Sequence, residues 1–140
     1  MVHPMLTVRD VDASIEFYTQ KLGFECDMKM AGPDGRTAFA FVKLADAYLG
    51  LGSDANNPNP QGSSEIQFIF TIPEGANIDQ IYADVQARGV PITGEIKDEF
   101  WGDRMFSVND LDGYWISLAQ NTREVPMDEI AEHMRSQPIN

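Results

Sequence analysis

The chain has 140 residues and a mass of 15.6 kDa, which is enough for one domain with a single core. Hydrophobic residues make up 43% and charged residues 23%, which excludes a disordered or fibrous chain. The formal net charge is −12, so the chain is expected to repel polyanions, and no nucleic-acid partner is predicted. Neither a bilayer-spanning apolar run nor a basic-then-apolar leader is present, so we expect no membrane partner and a cytoplasmic location.

The first part of the chain predicts one helix among four strands. The strands are expected over 2–8, 24–30, 37–43 and 47–51, with the helix between Asp10 or Asp12 and Gly23. Ile15, Tyr18 and Leu22 recur at helical spacing. In the second strand, apolar and charged residues alternate as in a half-buried strand, so Cys26 is interpreted as a small core residue. As the only cysteine, it also excludes an internal disulfide and a cysteine-clustered zinc site.

The same order recurs after a polar segment. Residues 54–64 are rich in Asn, Pro and Gly, a composition that is not expected to pack and therefore predicts a linker. The second part predicts strands over 66–72, 90–97, 104–109 and 114–119, with a helix between Asn77 and Gly89. Asp110 and Asp112 are interpreted as turn residues of the last hairpin, because the spacing of a calcium loop is missing.

The two parts can be aligned with each other. Residues 6–8 match 70–72 with an offset of 64, and residues 48–51 match 115–118 with an offset of 67. The drift of three residues is small enough for loop changes, so the chain is predicted to contain two copies of one unit. Beyond them, Pro126 suits the first turn of a helix, and Ile130 and Met134 are spaced along it. This tail is expected to pack on the body or on a partner subunit.

Several segments carry a family resemblance. Residues 2–10, 15–18 and 22–24 resemble the start of vicinal oxygen chelate proteins, the superfamily of glyoxalase I, bleomycin-resistance proteins and extradiol dioxygenases. Residues 100–104 and 110–114 resemble its C-terminal signature, although Leu111 stands where a proline is usual. The tail around 125–129 is similar to tails of the uncharacterised glyoxalase-like branch. The resemblance covers residues 2 to about 120.

The resemblance implies an α+β fold of two tandem βαβββ modules, whose sheets curl into a half-barrel around a cavity with the helices outside. Residues 1–122 would form a single domain, with one module at about 1–53, a linker at 54–64 and the other module at about 65–122. Residues 123–140 would form a partly helical C-terminal tail. A homodimer is expected, with the cavity built within one chain or across two.

In metal-dependent relatives, four cavity positions hold the ion, and the resemblance carries them onto His3, Gly50, Gln67 and Ser117. Gly50 has no side chain and Ser117 offers a neutral hydroxyl, so both expected carboxylates are missing. We therefore expect no metal cofactor. A divalent metal stays open as the alternative if Glu65, Glu99 or a partner chain supplies carboxylates.

Strand alternation within this fold predicts a ligand-binding cavity of mixed character. Its expected lining consists of His3, Met5, Tyr48, Gly50, Gln67, Ile69, Trp101, Arg104, Trp115 and Ser117, with Phe100 near Trp101. His3 would be a wall residue or, if chemistry occurs, the general base. Gly50 would leave room for the ligand. Arg104 would either bind a carboxylate or form a structural ion pair.

The leading hypothesis is a metal-free protein that captures a small aromatic or cationic organic molecule without a covalent step. The alternative is an enzyme, either a metal-dependent lyase, isomerase or dioxygenase with a non-standard ligand set, or a metal-free catalyst that uses His3. A third hypothesis is a protein–protein interaction module with a vestigial cavity.

Overall fold

A computed structural model describes residues 2–138, which form two four-stranded sheets, two helices packed on them and a C-terminal helix. The first module contains β1 (Met5–Thr7), α1 (Val11–Glu16), β2 (Glu25–Ala31), β3 (Thr37–Leu44) and β4 (Ala47–Gly52). The second contains β5 (Gln67–Thr71), α2 (Ile78–Ala87), β6 (Gly94–Asp98), β7 (Asp103–Asn109) and β8 (Trp115–Asn121), and α3 (Met127–Arg135) follows. The predicted α+β fold of two βαβββ modules is confirmed.

The two sheets have the same topology. Their strand orders are β1-β4-β3-β2 and β5-β8-β7-β6, and in each sheet the first strand of the module runs parallel to the last. Leu6 pairs with Leu51, and Phe70 pairs with Leu118 at the corresponding place in the second sheet. The internal alignment derived from the sequence, with offsets of 64 and 67, therefore agrees with the hydrogen-bonding register. The sheets are separate and open.

Both module helices begin and end where the sequence predicts. The side chain of Asp10 accepts a hydrogen bond from the Ala13 N–H at 3.0 Å, and Asn77 caps α2 in the same way. Helix α1 continues as a π-helical turn over Phe17–Lys21 and ends at Gly23, whose φ of +83° reverses the chain. The turn places the Tyr18 ring inside the core, where it is completely buried.

One hydrophobic core serves both modules. Alternate residues of the strands face the helices, so that Leu6, Val42 and Leu51 join the same cluster as Phe70 and Leu118. Phe24 lies at the junction of the modules, and its ring packs edge-on against Phe70 with centroids 5.0 Å apart. The modules are therefore held together on their helix-covered sides.

Buried polar contacts also join the modules. The Tyr18 hydroxyl donates a 2.7 Å hydrogen bond to Oδ2 of Asp110, and Asp112 accepts from the Arg9 N–H at 3.1 Å. The Tyr114 hydroxyl donates to the Thr7 carbonyl. Asp110 and Asp112 lie in the predicted hairpin turn, but they are buried inter-module partners as well as turn residues. Burial raises the pKa of Asp110, while the bond from Tyr18 opposes that shift.

The structure corrects three expectations. Strand β2 is a sheet edge and almost wholly exposed, so the interpretation of Cys26 as a core residue is wrong. The 54–64 segment forms no helix or strand, but it does pack, because Pro60 is buried and the Gly62 N–H donates to the Asp112 carbonyl. Strand β6 begins only at Gly94, several residues later than predicted.

The tail forms the predicted helix, and its attachment to the body is narrow. The His133 ring stacks on Phe100 with centroids 4.3 Å apart, whereas the ion pair between Arg123 and Glu129 lies within the tail itself. No residue of α3 is buried. Across residues 2–138, no helix combines the length and apolar character needed to cross a membrane.

Candidate functional site

Each sheet has a face turned away from its helix, called here the open face. On the first sheet, the open face carries a row formed by Met28, Phe41, Gly50 and Met5, in which each residue is paired with the next across the strands. The His3 ring lies beside this row, 5.7 Å from the ring centroids of both Phe41 and Tyr48. This open face is therefore aromatic and thioether-rich, and His3, Met5, Tyr48 and Gly50 lie together on it.

Gly50 does not leave the space that the sequence predicts. A Cβ added to Gly50 would collide with the Met5 sulfur and lie 2.7 Å from the Met5 methyl carbon. The Met5 side chain thus covers the glycine while remaining 56% exposed itself. Because this side chain is unbranched and flexible, it forms an adaptable surface over Gly50.

The open face of the second sheet carries a connected set of neutral polar groups. The Gln67 side-chain amide donates to the Ser117 hydroxyl at 2.8 Å, and the Ser117 and Ser107 hydroxyls are 2.6 Å apart. Ser117 is 0% exposed. The alternation of β5, β7 and β8 directs these three side chains to the same face. They form a hydroxyl–amide cluster at the centre of the sheet.

Two cavities open beside this cluster. One has a volume of about 360 Å³ and is lined by Ser64, Thr93, Gly94, Ser107, Asn109 and Trp115. The other, of about 190 Å³, is lined by Gln67, Gly94, Glu95, Lys97, Glu99, Met105, Phe106, Ser107 and Trp115. The two linings share Gly94, Ser107 and Trp115, so these three residues lie at the boundary between the two cavities.

Two other predicted lining residues, Trp101 and Ile69, border neither of these cavities. Trp101 is 37% exposed, and its indole N–H donates to Asp103 at 2.9 Å. Its ring packs edge-on against Phe100, the residue on which the tail helix stacks. Ile69 is exposed and borders a different cavity of about 650 Å³ near the β3–β4 turn.

Arg104 faces away from the predicted cavity. It alternates with Met105 in β7, and its guanidinium lies on the helix side, 2.8 Å from Asp79 of α2 and 3.2 Å from Asp98 of β6. The hydrogen bond from Arg104 lowers the pKa of Asp79, and the two carboxylates raise the pKa of Arg104. Of the two alternatives, the structure places Arg104 in the structural ion pair, and including it in the ligand site is wrong.

The four positions that correspond to metal ligands do not fit a divalent cation. Gly50 has no donor atom, and the Ser117 hydroxyl is fully buried and engaged by Gln67 and Ser107. The Gln67 amide directs its nitrogen, not its oxygen, toward Ser117. A divalent site normally includes anionic oxygens or several imidazoles. Among residues 2–138, no group of three or more His, Cys, Asp or Glu side chains is arranged to hold a metal.

Several contributors to the open faces are missing from the sequence-based site, among them Phe39 and Phe41 on β3, and Ser107 on β7. Phe39 and Phe41 pack edge-on with centroids 5.0 Å apart. The signal for Ser107 is the alternation itself, since Phe106 and Val108 on either side are core residues. Both β3 and β7 are the third strands of their modules, whereas the positions that correspond to metal ligands lie on the first and last strands.

These observations define an α+β protein of two βαβββ modules, with aromatic and neutral polar open faces. A family model described as the Glyoxalase/Bleomycin resistance protein/Dioxygenase superfamily matches residues 1–118. The chain belongs to this superfamily, as its sequence resemblance predicts.

Two relatives are similar to this chain over most of its length, and a solved structure shares its fold. A probable lactoylglutathione lyase of Vibrio cholerae is 31% identical over 86% of this chain and 90% of its own length. A bleomycin resistance protein of Geobacillus stearothermophilus is 31% identical over 86% of this chain and 96% of its own. The crystal structure of TioX from Micromonospora sp. ML1 superimposes with a TM-score of 0.68 at 18% identity, covering 86% and 97% of the two chains, which indicates a shared fold.

Proposed function

We propose that this chain is a metal-free, cytoplasmic small-molecule-binding protein, which captures a flat aromatic or cationic organic ligand without changing it covalently. The ligand would lie between the aromatic open face of one sheet and the hydroxyl–amide cluster of the other. Trp115, Tyr48 and His3 would supply aromatic surface, with Trp101 at the rim. The similarity to a bleomycin resistance protein over 86% of the chain supports a binding role.

One observation carries this proposal: the two positions that need carboxylates hold Gly50 and Ser117. Met5 covers Gly50, and Ser117 has its hydrogen bonds inside the protein. A doubly charged ion would therefore lack the negative oxygens that offset its desolvation. What remains is apolar and aromatic surface with a few neutral polar groups, which is typical of organic-ligand sites.

The proposal includes a homodimer. Met5, Met30 and Ile69 are large apolar side chains exposed on the open faces. Covering them with a second copy would remove this apolar surface from water and supply the opposite wall of the cavity. Sedimentation equilibrium at micromolar concentration should give twice the mass of the chain, and a monomer at all concentrations would contradict this part of the proposal.

The main experiment combines metal analysis with a ligand screen. Protein purified without chelator should carry far less than one equivalent of any divalent metal, and chelator should leave its melting temperature unchanged. Flat aromatic compounds and organic cations are then screened for an increase in melting temperature, because ligands that bind only the folded state stabilise it. Stoichiometric metal whose removal abolishes a turnover would refute the proposal.

A matched pair of variants locates any ligand found. Trp115→Leu should abolish the stabilisation, since the indole borders both cavities. Leu111→Ala removes an exposed apolar side chain at the tip of the last hairpin and should leave the stabilisation unchanged. Equal losses in the two variants would place the ligand elsewhere.

The second candidate is a metal-dependent lyase, favoured by the 31% identity to a probable lactoylglutathione lyase. Glu99 would be a candidate ligand beside Gln67, since both line the smaller cavity, but its carboxylate pairs with Lys97 at 3.8 Å. Zinc or nickel titrations followed by an assay that monitors both the formation and the cleavage of lactoylglutathione test this candidate. Turnover that needs the metal and is lost in Glu99→Gln would favour the enzyme.

A further inference from the structure

We propose that the Ser107 hydroxyl is the hydrogen-bond donor of a ligand subsite, and that this subsite takes the carbonyl oxygen of a planar aromatic molecule lying against Trp115. This inference rests on the proposed function, because it names the ligand class for the same open face. The inference adds Ser107 and Gly94 to the site, and it predicts that the site binds a neutral carbonyl compound more tightly than a cation.

The direction of the hydrogen bonds in the hydroxyl–amide cluster follows from burial. Ser117 accepts a hydrogen bond from the Gln67 amide, and its own hydroxyl hydrogen is shielded from water because the residue is 0% exposed. A buried donor has to find an acceptor, and the Ser107 oxygen is 2.6 Å away. The bonds therefore run from Gln67 through Ser117 to Ser107.

The hydroxyl hydrogen of Ser107 is then left for another partner. With its oxygen accepting from Ser117, Ser107 can turn this hydrogen toward the cavities that it lines. A hydroxyl polarised by a chain of two preceding hydrogen bonds is a better donor than an isolated one. The subsite consequently presents a donor, and its natural partner is an acceptor such as a carbonyl oxygen.

Gly94 keeps this donor accessible. A Cβ added at position 94 would lie 3.2 Å from the Ser107 Cβ, closer than side chains usually approach, and would be in contact with its Oγ at 3.4 Å. Because position 94 carries only hydrogen, the Ser107 hydroxyl stays open to both cavities. Trp115 borders the same two spaces and offers an indole surface for an aromatic ring.

The surrounding charge selects against ionised ligands. Glu95 and Glu99 outnumber Lys97 in the smaller cavity, so an anionic carboxylate would be repelled. Glu99 already pairs with Lys97 at 3.8 Å, which reduces its attraction for a cation. An ammonium group, which has only donors, would also face the outward hydrogen of Ser107. A neutral acceptor satisfies the site without either conflict.

Three fragments of the same shape test the inference: 1-indanone, which carries a carbonyl, 1-aminoindane, which is a cation at neutral pH, and indane, which has neither group. Each is titrated into the full-length protein while the Trp115 indole N–H signal is followed by NMR, with the signal assigned through Trp115→Phe. Indanone should bind roughly 3- to 10-fold more tightly than indane, the ratio that one hydrogen bond supplies.

Two variants and a control make the test specific. Ser107→Ala should reduce the affinity for indanone to that for indane, and Gly94→Ala should do the same by crowding the hydroxyl. Thr71→Ala removes a hydroxyl from the same face of β5, outside both cavity linings, and should preserve the preference. Circular dichroism and thermal unfolding confirm that each variant is folded before it is titrated.

The outcomes separate this inference from the proposed function. Equal affinity for indanone and indane, tighter binding of aminoindane, or an unchanged preference in Ser107→Ala overturns the carbonyl subsite while leaving ligand capture intact. Failure of all three fragments to shift the Trp115 signal counts against the binding site itself, and so against both proposals.

Discussion

The buried contact between Tyr18 and Asp110 makes a quantitative prediction for Tyr18→Phe. The substitution removes a 2.7 Å hydrogen bond to a carboxylate that lies between the modules. Hydrogen bonds to charged groups contribute about 1.5–3 kcal/mol to stability. We therefore expect the free energy of unfolding to fall by about 2 kcal/mol at pH 7, and the melting temperature to fall by about 6 °C for a chain of this size.

The loss should depend on pH, because the bond favours the ionised form of Asp110. Desolvation raises the pKa of Asp110 above its usual 3.8, and the bond from Tyr18 opposes this shift. When the pKa of a carboxyl is higher in the folded state than in the unfolded state, its contribution to stability is fully present below the unfolded-state pKa. This contribution is lost as the pH rises through the folded-state pKa. Without the hydroxyl, the folded pKa of Asp110 rises further and more stability is lost.

The stability difference between wild type and Tyr18→Phe should therefore be smallest near pH 4, widen toward neutrality and level off above the variant's folded pKa. Urea unfolding at a series of pH values measures it. Tyr82→Phe, which removes a hydroxyl from another ring packed on the core, is the control and should give a small, pH-independent loss. A difference for Tyr18→Phe that stays constant with pH, or persists in an Asp110→Asn background, would refute the reasoning.

Three further predictions concern the close approach of Gly62 in the linker to the last hairpin, the ion pair of Arg104 and the tail helix. Gly62→Ala should destabilise the chain by about 2 kcal/mol or more, because the new methyl group would collide with the backbone at Gly113. A loss of stability below about 0.5 kcal/mol in urea unfolding would contradict this close approach. Arg104→Met should change the stability little, since its contact with Asp79 is a solvent-exposed ion pair, and should leave ligand affinity unchanged. A large affinity loss by calorimetry would return Arg104 to the ligand site. His133→Ala removes the stacking contact between α3 and Phe100. Limited trypsin digestion should therefore release the tail faster, while the melting temperature of the body changes little. An unchanged cleavage rate would mean that other contacts hold the tail.

Local chemistry made much of the fold predictable. Asp10 and Asn77 cap helices because a short polar side chain there satisfies a free backbone N–H, and such signals lie within four residues. Gly23 and Gly89 have φ near +84°, a conformation that glycine adopts easily, so both ends of the helices could be placed. The internal repeat also aligned the strands of the first module with those of the second, which the pattern within a single strand cannot do.

Features that depend on strand order or on the packing of the modules were not predictable. The alternation in β2 suggests a half-buried strand, but β2 is the edge of its sheet, and edge position follows from the topology. The burial of Asp110 requires Tyr18 from the other module, 92 residues away in sequence. The position of Met5 over Gly50 depends on one side-chain conformation, which no residue spacing specifies.

The parallel pairing of the first and last strands of each module has a consequence for biosynthesis. Strand β1 stays without its partner until β4 has been made, and β5 likewise waits for β8. Contacts that close such long loops slow folding, because chain entropy is lost before the contacts form. The apolar surface of the first module also stays uncovered on the ribosome until Phe70 and its neighbours emerge. Nascent chains should consequently engage chaperones until translation of the second module is nearly complete.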